Sequence, residues 1–107
     1  MTNLGDLRRG ALAIAFACAS IPALCANHTI VIDGTAFTPA RLAVQKGDRV
    51  TWVNRDPFPH TATAPDRVFD SGSIAAGASW TWVADKAGTF DYVCTFHPTM
   101  KARLTVR

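Results

Sequence analysis

Cys94, His97 and Met100 recur at three-residue intervals in Cys94-Thr95-Phe96-His97-Pro98-Thr99-Met100, where an alternating apolar run hands over to a tight loop. A loop this short folds its side chains toward a common point. Pro57-Phe58-Pro59-His60 leads into another alternating run and offers one more imidazole at the same end of a sandwich. His60, Cys94 and His97 then supply two ring nitrogens and a thiolate, with Met100 as a weaker fourth donor. Zinc draws on Cys, His and carboxylate, and a thioether is a poor donor to it. Two His, one Cys and an axial Met suit copper in both Cu(I) and Cu(II), the donor set of an electron-transfer site. Cys94 must bind as the thiolate, and the metal itself secures that deprotonation.

Other chemistries find little to work with. All eight acidic residues are Asp, so no Glu is available as a general acid or base. Eleven Lys and Arg give a net charge of +3 without a clustered stripe, which excludes nucleic acid as a partner. Four protein ligands leave no open position for a substrate, and three His are too few for a second copper centre, so an enzyme is not expected. A one-electron carrier is the leading reading. A copper carrier or storage protein with the same ligands is the alternative.

Such a site needs a framework that changes little when an electron arrives. Period-2 runs bounded by turn residues predict strands over Thr29–Asp33, Arg41–Gln45, Arg49–Asn54, His60–Ala64, Ser79–Val83, Thr89–Cys94 and Ala102–Val106. About seven short strands in one domain, residues 27–107, mean an all-β Greek-key β-sandwich. Trp52, Trp80, Trp82, Phe90 and Tyr92 alternate along these runs and belong to its core.

Residues 1–26 read differently. Arg8 and Arg9 precede an apolar stretch from Gly10 to about Ala19, and small residues follow up to Ala26. That is a secretory signal peptide cleaved near Ala26. Ser20 and Pro22 interrupt the stretch before the roughly 20 apolar residues that a membrane span needs. Cleavage removes Cys18 and Cys25 and leaves Cys94 alone, so no internal disulfide can form. The mature protein is then periplasmic, without a membrane span, and carries +2.

Phe37-Thr38-Pro39, Val44-Gln45-Lys46-Gly47-Asp48, Val50-Thr51-Trp52-Val53-Asn54 and Pro59-His60-Thr61 resemble the front half of a cupredoxin. Gly88-Thr89-Phe90-Asp91-Tyr92-Val93-Cys94 and His97-Pro98-Thr99-Met100 resemble its back half. The two-residue spacings on either side of His97 place the resemblance nearest the amicyanins, in the plastocyanin-like group. It implies copper ligation by His60, Cys94, His97 and Met100, and one-electron transfer among redox partners such as a dehydrogenase, cytochrome or oxidase, by a monomer. It also implies that His97 lies at the surface within an apolar docking patch, here Phe58, Pro59, Phe96 and Pro98. Arg55, Lys101 and Arg103 lie near these loops in sequence and would give that patch a basic rim. Thr61 stands where the family often has an Asn that ties the two ligand loops, and a Thr61–Thr95 hydroxyl bond would substitute. Pro98 has no N–H to offer the Cys94 sulfur, which favours Cu(II).

Overall fold

A computed structural model describes residues 24–107. The signal peptide expected over residues 1–26 falls almost entirely outside the described residues. Seven strands form two sheets: β1 (Asn27–Ile32), β2 (Phe37–Thr38), β3 (Arg41–Val44), β4 (Arg49–Asn54), β5 (Ser79–Val83), β6 (Gly88–Cys94) and β7 (His97–Val106). One sheet runs β2-β1-β4-β5 and the other β3-β7-β6. β1 lies parallel to β4, and β3 parallel to β7, because the chain crosses to the other sheet between the members of each pair. Among the described residues no helix is long and apolar enough to cross a membrane.

Alternation decides which side chains meet between the sheets. Ile30 and Ile32 of β1, Val50 and Trp52 of β4, Phe90, Tyr92 and Cys94 of β6, and Ala102, Leu104 and Val106 of β7 all point inward. Phe69, from the long β4–β5 connection, packs within 5.3 Å of the Trp52 ring and 5.5 Å of the Tyr92 ring, centroid to centroid. The Trp52 Nε1–H donates to the Tyr92 hydroxyl at 3.2 Å, so the largest buried aromatics keep their polar atoms satisfied. Burial pushes the Tyr92 phenol up, well out of the titrating range.

Two elements differ from the alternation reading. His60–Ala64 is not a strand. His60 exchanges both backbone bonds with Ile74, whereas Thr63 exchanges both with Val93 of β6, so the segment is divided between two neighbours. And β7 begins at His97, not Ala102, leaving only Thr95-Phe96 as the turn after β6. Val93 pairs with Lys101 but Cys94 with His97, so Pro98, Thr99 and Met100 are extra residues bulged out of the ladder. Pro98, with no N–H to give, is tolerated at such a bulge. The two-residue strand β2 carried no alternation signal of its own.

Candidate metal centre

The bulge explains how the three-residue spacing works. In an unbroken strand His97 and Met100 would face opposite sides; the displaced register turns both toward the interior, His97 half-buried and Met100 buried. Cys94 arrives there as the last inward residue of β6. His60 comes from the β4–β5 connection and is fully buried. The Cys94 Sγ lies 3.6 Å from His60 Nδ1 and 3.8 Å from His97 Nδ1, and the three donor atoms fall within 4.8 Å of one another. Sulfur–nitrogen edges of this length could be spanned by two metal–ligand bonds of about 2.0–2.3 Å.

The tautomer of His60 fits a ligand. Its Nε2 stands 2.7 Å from Asp56 Oδ2, and a carboxylate only accepts, so Nε2 carries the proton and Nδ1 presents a lone pair toward Cys94. Asp56 is itself held by the backbone N–H groups of Gly34 (2.7 Å) and Thr35 (2.9 Å). The Thr35 N–H, together with the His60 ring and the Gly34 N–H, lowers its pKa below the ordinary carboxylate value. Because Asp56 is spent on the far side of the ring, the cluster offers two imidazoles and a sulfur, and no other carboxylate among the described residues joins it as a hard fourth ligand. That donor set fits copper better than zinc.

Asn54 fixes the loop that carries His60. Its buried side-chain amide donates to the carbonyls of Phe58 (2.9 Å), Ile74 (2.9 Å) and Ala75 (3.3 Å), while its Oδ1 accepts the Asp56 N–H at 3.0 Å. On the sulfur side, Thr61 N–H donates to Cys94 Sγ at 3.3 Å. The expected tie between the two loops is present: Thr61 Oγ1 lies 3.2 Å from Thr95 Oγ1 and accepts the Thr95 N–H at 2.8 Å. Asn54 and Asp56 were not singled out from sequence as serving the site. The one available sign was an Asp four residues before a candidate ligand.

Phe58 and Phe96 are 42% and 51% exposed, and Pro59 and Pro98 are exposed beside them. The Phe58 ring sits 5.9 Å from that of His97, so an apolar surface does border the half-buried imidazole. The basic rim is smaller than expected. Arg103 lies down β7 opposite Asp91, with Nε 2.7 Å from its carboxylate, which compensates its charge and leaves Arg55 and Lys101 exposed. His28, which could be mistaken for a ligand, sits in β1 with its Nε2 2.9 Å from Asp48.

Comparison with known proteins agrees with this geometry. The chain is 31% identical over 88 residues to amicyanin of Paracoccus denitrificans, covering 76% of this chain and 67% of that one. It is 32% identical over 84 residues to plastocyanin of Scenedesmus fuscus, covering 66% and 86%. Its fold superposes on a purple cupredoxin from Nitrosopumilus maritimus with a TM-score of 0.70 at 28% identity, over 75% of this chain and 99% of the other. The sequence model of the cupredoxin-like domain matches residues 9–106, and the chain therefore belongs to the cupredoxin-like family.

Proposed function

We propose that His60, Cys94, His97 and Met100 hold one copper ion and that the protein carries single electrons between redox partners in the periplasm. The observation that carries this reading is the approach of two imidazole Nδ1 atoms to one buried thiol, with the opposite nitrogen of His60 tied to Asp56. Bound copper would supply the Cu(I)/Cu(II) couple. The chain supplies the rest: Asp56 orients His60, Thr61 N–H holds the Cys94 sulfur, and the β6–β7 bulge brings His97 and Met100 to the same end. His97 is the half-buried donor, with the Phe58 ring 5.9 Å away and the exposed Phe96 next to it in the chain. A redox protein such as a dehydrogenase, cytochrome or oxidase would press on that apolar end, and a small contact lets it leave again. The leader expected over residues 1–26 supports the location, and the carrier acts as a monomer.

The test is a Cu(II) titration of the purified protein, read by visible absorption and electron paramagnetic resonance, with Cys94→Ser alongside. An intense thiolate-to-copper band with narrow hyperfine splitting, lost in Cys94→Ser, is the expected result. A colourless or ordinary square-planar copper spectrum would overturn the ligand assignment. Fast electron self-exchange with slow copper release supports the electron carrier; ready surrender of copper to a chelating acceptor would replace it with the copper carrier.

A further inference from the structure

Asp48 is a buried carboxylate, 4% exposed, far from any candidate ligand in the chain's own bonding. It lies in the turn before β4. Its backbone N–H donates to Gln45 O at 3.0 Å and its carbonyl accepts the Ala84 N–H at 2.8 Å, so the turn and the end of β5 fix its place. Its Oδ1 accepts the Ala26 N–H at 2.9 Å, and its Oδ2 accepts the Gln45 N–H at 3.0 Å and the His28 Nε2–H at 2.9 Å. The Ala26 N–H does most to lower its pKa from 3.8 to about 2, ahead of the Gln45 N–H and the His28 ring. The group is therefore an anion at neutral pH. Among the described residues His28 is the one ionisable side chain that pairs with it, and no Lys or Arg does. A charge taken out of water is costly unless an opposite charge stands against it.

Ala26 is where that charge can arise. Its carbonyl accepts the Arg49 N–H at 2.9 Å, so both of its backbone groups are held where β1 meets β4. Immediately upstream the chain stands out from the fold: Leu24 is 90% exposed, and Cys25 is exposed as well. The Cys25–Ala26 bond thus marks the entry of the chain into the folded domain. Leader removal favours small residues one and three positions before the cut. For a cut before Ala26 these are Cys25 and Ala23; for a cut after it they are Ala26 and the bulky Leu24. A cut after Ala26 would also take from Asp48 Oδ1 the donor it has here.

We propose that an export peptidase cuts between Cys25 and Ala26, one residue earlier than a mature chain over residues 27–107 implies, and that the new Ala26 ammonium seats on Asp48 as an ion pair. Water adds across the peptide bond: the C–N bond breaks, Cys25 departs with a carboxylate, and the Ala26 nitrogen takes up the proton that makes it an ammonium. That nitrogen already stands 2.9 Å from Asp48 Oδ1. A bond between a carboxylate and a neutral amide becomes an ion pair only when the leader has gone, so the cut itself tightens the start of β1. The inference rests on the leader part of the functional reading and not on its copper part.

The full chain is expressed in a bacterium with its own leader, and the exported protein is read by intact mass. A chain that begins at Ala26 is expected. One that begins at Asn27 or beyond would overturn the proposal, and an uncut chain would overturn the leader reading with it, whatever the copper spectrum. Seating is read by acylating the exported protein at neutral pH and mapping the label by peptide mass, since only an unprotonated amine reacts. The Ala26 amine of the native protein should label about tenfold more slowly than in the same protein unfolded in urea, the effect of a carboxylate that raises its pKa by about one unit. In folded Asp48→Asn the native rate should rise about tenfold toward the unfolded one, while Asp66→Asn, which removes an exposed carboxylate elsewhere, leaves it at the wild-type value. Equal labelling of native and unfolded wild type would overturn the ion pair without need of a variant. An amine that stays slow in folded Asp48→Asn would show that packing, and not the carboxylate, protects it, and would overturn the pair as well.

Discussion

Asn54→Ala should be among the most damaging substitutions that leave every candidate ligand in place. The Asn54 side chain is fully buried and satisfies four groups at once. Its removal strands the buried Asp56 N–H, whose side-chain partner is Asn54 Oδ1, at about 1–3 kcal/mol. Ile74 O keeps the His60 N–H, and the Phe58 and Ala75 carbonyls lie partly within reach of water, so together these lost bonds cost about 1 kcal/mol more. The vacated amide volume adds about another 1 kcal/mol. The expected loss is about 3–5 kcal/mol, which lowers the Tm of a domain this size by about 12–40 °C. Thermal and urea unfolding of the copper-free protein, followed by tryptophan fluorescence, measures it directly. A Tm within about 4 °C of wild type would refute the reasoning, since it would mean that water reaches these groups and that the amide does not pin the His60 loop.

Asp56→Asn should weaken copper binding about 10- to 100-fold in competition with a chelator, because the His60 ring loses the anionic partner that holds its tautomer; unchanged affinity would show that packing alone orients the ring. Asp48 contributes to the acid sensitivity of folding. The N–H groups of Ala26 and Gln45 and the His28 ring lower its pKa from 3.8 to about 2, so its contribution is complete above about pH 4 and is lost as pH falls toward 2. In protein that retains Ala26, Asp48→Asn should therefore be less stable at neutral pH, with a shallower fall between pH 4 and 2; parallel acid-unfolding curves for variant and wild type would contradict this.

How far the fold could be read ahead depended on whether one face of a run is buried. In β6 the alternation Phe90, Tyr92, Cys94 reflects a real inner face, so both the strand and the inward thiol were legible. His60–Ala64 alternates just as well in sequence, yet its pairing is shared between Ile74 and Val93, and no local pattern encodes partners that distant. The start of β7 was missed because Pro98 argues locally against a strand, whereas a register shift set by the neighbouring strand accommodates it. The candidate ligands were read from type and spacing, and the structure brings His60, Cys94 and His97 together. Their supports were less so, because Asp56 and Asn54 bond to backbone groups of segments remote in sequence.

These supports divide unevenly among the three donors nearest one another. His60 is fixed from behind by Asp56, and the loop before it by Asn54; Cys94 is fixed by the Thr61 N–H and by a turn anchored at Thr95. All of these are bonds the chain makes with itself, so two of the donors are placed by folding rather than by metal. Among the described residues His97 has no comparable hydrogen-bond anchor: what locates it are the rings of His60 at 5.1 Å and Phe58 at 5.9 Å and its place at the start of β7. A site that passes electrons as proposed would gain from that division. Rigidity at His60 and Cys94 would hold the geometry nearly constant between oxidation states, and the half-exposed imidazole is the one a partner could approach. The exposed apolar side chains of Phe58 and Phe96 would exclude water from such a contact without fixing which partner makes it.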